Sequence, residues 1–327
     1  MEQVIIIGAG PCGLSAAVEC KRRGLDPLII EKGCIVNSIY HFPTHMLFFS
    51  TPSLIEIGDI PFTTVHEKPT KQEALTYYRL VAQHYQLRIH TYENVESVVR
   101  GDIGFTLTTT DRYGETKRYE AEHVVIATGY YDNPNMLNIP GEDLPKVSHY
   151  FKDAHPYHGM KVAIIGAKNS AVDAALELER VGADVTVIYR GSEVPASVKA
   201  WVRPLFESAI KKERIKMIWN AEVKEIKAKS VIIEQNGERF ELENDFVFAL
   251  TGYRPNRALL EQMGIQFNDD TGAPIFDEET METHVPGLYI AGVVSAGNDA
   301  NSIFIENGRF HGHAIAEHIL SKEKSTK

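Results

Sequence analysis

One pattern narrows the fold more than any other, and it occurs twice. An apolar run leads into a glycine-headed loop, then a helix-length segment ending at glycine, then a second apolar run. The first copy, from Val4, is "VIIIGAGPCGLSAAVECKRRGLDPLIIEKG"; the second, from Lys161, is "KVAIIGAKNSAVDAALELERVGADVTVIYRG". Continuous apolar runs of this length suit strands buried on both faces, and strands joined by crossover helices run parallel. The expected fold is therefore α/β, with two Rossmann-like dinucleotide-binding domains of three-layer β/β/α type.

Between the copies, a helix is expected from about Lys71 to Tyr85, with Leu75, Tyr78, Val81 and Ala82 on its apolar face. Strand-like alternation follows from Val95 to Tyr119 around a "DRYGE" turn, and "HVVIATG" adds a further buried strand. More strands, with an "NGE" turn, lie between Ile215 and Phe248, and a last helix is expected over about Ser302 to Leu320. "HVVIATGYYDNP" and "DFVFALTGYRPN" mirror each other, each an apolar strand ending in Thr-Gly-Tyr. They mark the chain leaving one domain and returning to it. Residues 1–129 with 253–327 form a discontinuous first domain, 130–252 an inserted second one, and Gly129 and Gly252 are candidate hinges.

Length and charge agree with this plan. A chain of 327 residues usually exceeds one core, and a net charge of −10 argues against nucleic acid. The longest apolar stretches are strand-length, so no membrane span is expected, and Met1 runs almost directly into a strand without a leader pattern. Three cysteines, Cys12, Cys20 and Cys34, form neither a disulfide framework nor C-x-x-C, which points to a reducing compartment, the cytoplasm.

In the first loop, Gly8, Gly10 and Gly13 permit a tight turn, close approach of backbone to a pyrophosphate, and tight helix packing, with Pro11 and Cys12 between them. Glu31, at the end of the next strand, suits ribose hydroxyls. The second loop, Gly166-Ala167-Lys168-Asn169-Ser170-Ala171, is a degraded version in which Lys168 replaces the second glycine. Arg190 stands where an acid would select NAD, and a guanidinium suits a 2′-phosphate; Lys199 and Arg203 follow. FAD is thus expected at the first loop and NADPH at the second.

The chain resembles the two-dinucleotide-domain flavoproteins of the thioredoxin reductase type over nearly its whole length, through "GAGPCG", "VVIATG", "GAKNSA", "ALTGYRPN" and "PGLYIAG". Two departures stand out. The redox C-x-x-C before the second loop is missing, and Gly292 is followed by Val293 where those relatives carry an aspartate for the FAD ribitol. That leaves backbone N–H groups to compensate. "GAGPCGL", "NSIYHFPTHMLFFSTP" and "AGNDANSIFIENGRFHG" resemble the bacillithiol-disulfide reductases more closely.

The resemblance implies NADPH-dependent reduction of a small disulfide, oxidised bacillithiol, by a homo-oligomer (dimer or tetramer). It also implies FAD contacts at Lys32, Tyr40, His41, Val95, Ala127, Thr128, Gly129, Gly292, Ile303 and Phe304, with Asn301 nearby, and NADPH contacts at Gly252. Cys12 becomes the candidate catalytic sulfur, acting with the flavin. A helix N-terminus lowers a thiol's pKa, whereas a neighbouring diphosphate and the alternative role of small packing residue oppose that reading.

Cys20 and Cys34 read as structural. His149, His155 and His158 read as exposed loop histidines rather than a metal site, since Pro156 interrupts them and no acid completes a set. Three alternatives share the fold: an FAD monooxygenase, suggested by "SHYFKDAHPYHGMKVAIIGAKNSA"; a ferredoxin- or flavodoxin-type NADP reductase; and a flavin- or NADPH-binding sensor.

Overall fold

The computed structural model describes residues 1–298 and 302–325. The expectation for Asn301 lies outside the described residues. The chain opens with β1 (Glu2–Ile7), α1 (Pro11–Arg22), β2 (Leu28–Glu31), α2 (Asn37–His41), α3 (Pro52–Ile55) and α4 (Lys71–His84). Strands β3 (Arg88–Thr91), β4 (Glu93–Arg100), β5 (Phe105–Asp111) and β6 (Thr116–Ile126) follow. The middle of the chain gives β7 (Val147–Ser148), β8 (Lys161–Ile165), α5 (Asn169–Arg180), β9 (Asp184–Ile188), α6 (Arg203–Lys211) and β10 (Ile215–Ile218). Then come β11 (Ala221–Ile226), β12 (Ser230–Gln235), β13 (Glu238–Glu243) and β14 (Phe246–Ala249). The last stretch holds α7 (Arg257–Gln262), β15 (Leu288–Ile290), α8 (Ile305–Gly308) and α9 (His311–Ser325). Two units result: Met1–Asn133 with Tyr253–Lys327, and Pro134–Gly252.

In the first unit, β3-β2-β1-β6-β15 is a parallel sheet. β6 changes partners along its length within one seven-stranded sheet. Its second half lies between β1 and β15, whereas its first half pairs antiparallel with β5, which pairs with β4. The sequence reading separated these halves as two strands. The structure joins them, because residues from Thr116 to Ile126 continue in one direction while their partners change.

Side-chain alternation along β1 builds both layers. Val4 and Ile6 face a core with α1, α4 and α9, where Tyr78, Val81 and Ile315 are buried. Ile5 and Ile7 face the meander side, with Val98, Phe105 and Leu107. This is the three-layer β/β/α arrangement expected. A capping box starts α4: the Glu73 N–H donates to Thr70 Oγ1 at 3.2 Å, and the Thr70 N–H to Glu73 Oε2 at 2.8 Å.

The second unit repeats the plan. Its parallel sheet is β10-β9-β8-β14-β7, with the antiparallel meander β11-β12-β13 beside it. Val162 and Ile164 of β8 face α5, while Ala163 and Ile165 face the meander. Two expectations change. The last helix is two pieces, α8 and α9, because the chain breaks at Arg309 and Phe310. His149 is also not an exposed loop histidine: its side chain is 13% exposed, with Nε2 3.3 Å from Glu142 Oε1, whereas His155 and His158 are exposed. Glu142 is itself fixed by N–H donors at Leu137 and Asn138.

Candidate cofactor-binding site

Strands β1, β6 and β15 of the first unit end together, and the loops beyond their carboxyl ends make the site. Gly8, with φ +109°, lies so close to Ala127 that a Cβ there would stand 2.5 Å from its carbonyl oxygen. A Cβ on Gly13 would stand 2.0 Å from the Gly8 carbonyl oxygen, so α1 rests directly on the loop. At Gly10, however, a Cβ would meet nothing within 4 Å. Gly8 and Gly13 are therefore required by the protein's own packing, while Gly10 keeps a cradle clear beside the start of α1. The helix opens with Pro11 and without a side-chain cap, leaving first-turn N–H groups to an anion.

Glu31, at the end of β2, is buried and holds the loop shut. Its two oxygens accept the Ala9 and Gly33 N–H groups, each at 2.8 Å. Burial raises its pKa, against the lowering effect of those two bonds. The remaining lone pairs can accept hydroxyls. The Val36 N–H donates to the Ala9 carbonyl at 2.9 Å, although Val36, a buried β-branched residue, adopts φ +51°. The residue types thus fit a diphosphate with an attached ribose.

The other first-unit candidates fall into groups. Ala127, Thr128 and Gly129 continue β6 past the loop, with Gly129 at φ +69°. Lys32 pairs with Asp132 at 2.8 Å. Val95 is buried in the core between the sheet and the meander, leaving only its backbone to offer. Tyr40 and His41 are exposed on α2, and Phe42 beside them packs edge-on to Tyr131 with ring centroids 5.0 Å apart. Ile303 is half-buried and Phe304 exposed.

Cys12 is the second residue of α1. Part of the residue reaches the surface, yet its sulfur is enclosed: a Cβ on Gly292 or on Gly308 would come within 2.9 Å of Sγ. Burial pushes the thiol up to about 12, opposite in direction to the lowering that a helix N-terminus exerts. Cys20 is buried and likewise pushed up to about 12. The Cys34 thiol is raised as well, and donates to Asn37 Oδ1 at 3.6 Å.

Sequence reasoning missed two participants, Gly308 and His311. The Gly292 N–H donates to His311 Nδ1 at 3.1 Å. Nothing in a one-dimensional pattern pairs residues 292 and 311; β15 and α9 have to meet first.

The second unit builds its own loop. A Cβ on Gly166, at φ +118°, would stand 2.5 Å from the Leu250 carbonyl oxygen. Lys168 occupies the N-cap position of α5, exposed and without a side-chain cap bond, with Ser170 exposed and Ala171 buried behind it. Asn169 has a role that spacing did not suggest. Its Nδ2 donates to the Ser197 carbonyl at 3.0 Å, and its Oδ1 accepts the Lys199 N–H at 2.9 Å, pinning that loop to the helix start.

Arg190 is exposed just past β9, with no ion pair among the described residues. Arg203 pairs with Glu207 at 2.7 Å, and the Lys199 Nζ stands 5.9 Å from the Trp201 ring centroid. At Gly252, φ is +94° and the carbonyl accepts the Asn135 N–H at 2.9 Å. Lys168 and Arg190 are cations free to meet a phosphate. Among the described residues no cluster of His, Cys, Asp and Glu could hold a metal ion, and no helix is long and apolar enough to cross a membrane.

A model of the pyridine nucleotide-disulphide oxidoreductases matches residues 5–292, spanning both loops. The chain belongs to this family. It is 49% identical over 324 residues to bacilliredoxin reductase Bdr of Bacillus subtilis (strain 168), covering 98% of each chain. It is also similar to two solved structures of bacillithiol disulfide reductase Bdr (YpdA). That from Bacillus cereus superposes with a TM-score of 0.97 at 51% identity, covering 98% of this chain and 99% of the other. That from Staphylococcus aureus gives 0.95, also at 51%, with the same coverage. The resemblance read from the sequence is borne out, and with it the two-domain Rossmann fold. As a pyridine nucleotide-disulphide oxidoreductase, the chain is a flavoenzyme that uses FAD and NADPH.

Proposed function

We propose that the chain reduces oxidised bacillithiol with NADPH, the discontinuous unit holding FAD and the inserted unit holding NADPH. The observation that carries this reading is end-to-end identity of about half to proteins named for bacillithiol disulfide, in a chain without C-x-x-C. Bound FAD supplies two-electron transfer from the nicotinamide to the disulfide. In sum, NADPH, one proton and RSSR give NADP⁺ and two RSH.

The residues divide this work. The N–H groups at the start of α1 and Glu31 hold the diphosphate and ribose, with Gly10 leaving room for them. Lys168 and Arg190 meet the NADPH phosphates, and Arg190 selects NADPH over NADH. Cys12 is the sulfur that acts beside the flavin. As a thiolate it would attack one sulfur of the substrate, forming Cys12–S–S–R and releasing RS⁻; two electrons and one proton then return the cysteine thiolate and RSH. Ionising a thiol of pKa about 12 at pH 7 costs about 7 kcal/mol, five units at 1.36 each, so the attack accelerates as pH rises. This reading suits a reducing compartment, the cytoplasm, and a homo-oligomeric enzyme.

Anaerobic NADPH should bleach the bound flavin, and oxidised bacillithiol should restore its colour faster than glutathione disulfide or cystine. Failure of all three to restore it removes the assignment. The Bacillus subtilis relative is named for a different acceptor, bacilliredoxin. Faster recolouring by oxidised bacilliredoxin than by oxidised bacillithiol would move the substrate to that protein. Full turnover by Cys12→Ala would take the cysteine out of the chemistry.

A further inference from the structure

Cys12, Gly292 and Gly308 pack against one another. A Cβ on Gly308 would stand 2.9 Å from Cys12 Sγ and 3.2 Å from Gly292 Cα, and one on Gly292 would stand 2.9 Å from Cys12 Cβ. Gly292 can sit there because it is a glycine at φ +77°, just past β15. Its backbone is held by His311, the first residue of α9, whose Nδ1 accepts the Gly292 N–H.

An imidazole accepts only through an unprotonated nitrogen, so this ring carries its proton on Nε2. Burial holds the His311 pKa down, and the N-terminus of a helix disfavours a cation in the same way. Ionisable groups close to His311 in the chain have other partners. Cys12 of α1 is a thiol; Glu306 of α8 accepts from Ser50; Arg309 donates to the carbonyls of Ser53 and Glu56; His313 of α9 lies against Glu19 and Arg23 of the α1 end.

We propose that His311 is a positioning residue: by taking the Gly292 N–H it fixes the turn that encloses the Cys12 sulfur. This rests on Cys12 being the sulfur beside the flavin only for its effect on turnover; the effect on enclosure stands apart. Protonation of His311 would set an N–H against the Gly292 N–H and release the turn, so turnover should fall in acid, below the ordinary histidine value of about 6.5.

The test uses the FAD-loaded enzyme with two variants. Asn keeps an acceptor near the Nδ1 position but does not titrate, and Phe fills the ring's space without an acceptor. In His311→Phe, iodoacetamide should alkylate Cys12 at pH 8 at least about tenfold faster than in the parent, read by peptide mass. In His311→Asn, alkylation should stay within about threefold of the parent, and the acid limb of turnover should vanish. Equal alkylation rates in the Phe variant and the parent overturn the proposal, as does an Asn variant that behaves like Phe. If Cys12→Ala turns over fully, the sulfur's catalytic role fails, while the alkylation comparison still decides for or against His311.

Discussion

Replacing Gly10 and Gly13 separately by alanine should divide cofactor binding from folding within one loop. Gly10 has φ −72° and ψ 174°, a conformation open to any residue, and a Cβ there meets nothing within 4 Å. Losing a glycine at an N-cap position costs about 0.5–1 kcal/mol, and the stiffer unfolded chain returns about 0.4–1, so the protein freed of FAD should unfold within roughly 0.5 kcal/mol of the parent. The methyl group nevertheless enters the space kept for the diphosphate. FAD affinity should fall about 10- to 100-fold, or roughly 1.4–2.8 kcal/mol. Gly13→Ala should behave the other way round. Its Cβ would lie 2.0 Å from a backbone oxygen that cannot swing aside, so the apoprotein itself should lose about 3 kcal/mol or more. Urea unfolding of the FAD-free proteins, together with FAD titration followed by flavin fluorescence, measures both quantities. A Gly10→Ala protein with parental affinity for FAD would refute the cradle, and a Gly13→Ala protein of parental stability would refute the packing argument.

Three further outcomes follow from the same structure. Cys12 should resist alkylation at pH 7, where a thiol of pKa about 12 is ionised about once in 10⁵, and its rate should climb tenfold per pH unit through pH 9; rapid labelling at pH 7 would show the sulfur to be exposed. Arg190→Ala should raise KM for NADPH about 10- to 100-fold and leave that for NADH unchanged, in steady-state assays with both nucleotides; equal losses would remove the 2′-phosphate contact. Asp173 on α5 has its pKa raised to about 6, first by burial and then by Glu177. Because the folded chain binds that proton more tightly than the unfolded chain, stability falls as pH rises from about 3.9 to 6, by roughly 1–3 kcal/mol. Urea midpoints at pH 4.5, 5.5 and 7 should show that slope in the parent and a flatter one in Asp173→Asn; the same slope in both would assign it to other groups.

The amino-acid order by itself determined the doubled strand–loop–helix–strand, the acid at Glu31, the arginine at Arg190 and the α/β class. Each rests on local periodicity or on a residue type needed at a fixed offset, and local physics carries that information. The same order could not separate the three glycines of the first loop. Only the fold shows that Gly8 and Gly13 answer to Ala127 and to each other, whereas Gly10 answers to nothing in the protein. Nor could it give the state of Cys12. A helix N-terminus argues for a thiolate, yet Gly292 and Gly308, nearly 300 residues away, enclose the sulfur and desolvation prevails. Solvent exclusion depends on every chain segment that arrives at a point, so the tertiary structure alone decides it.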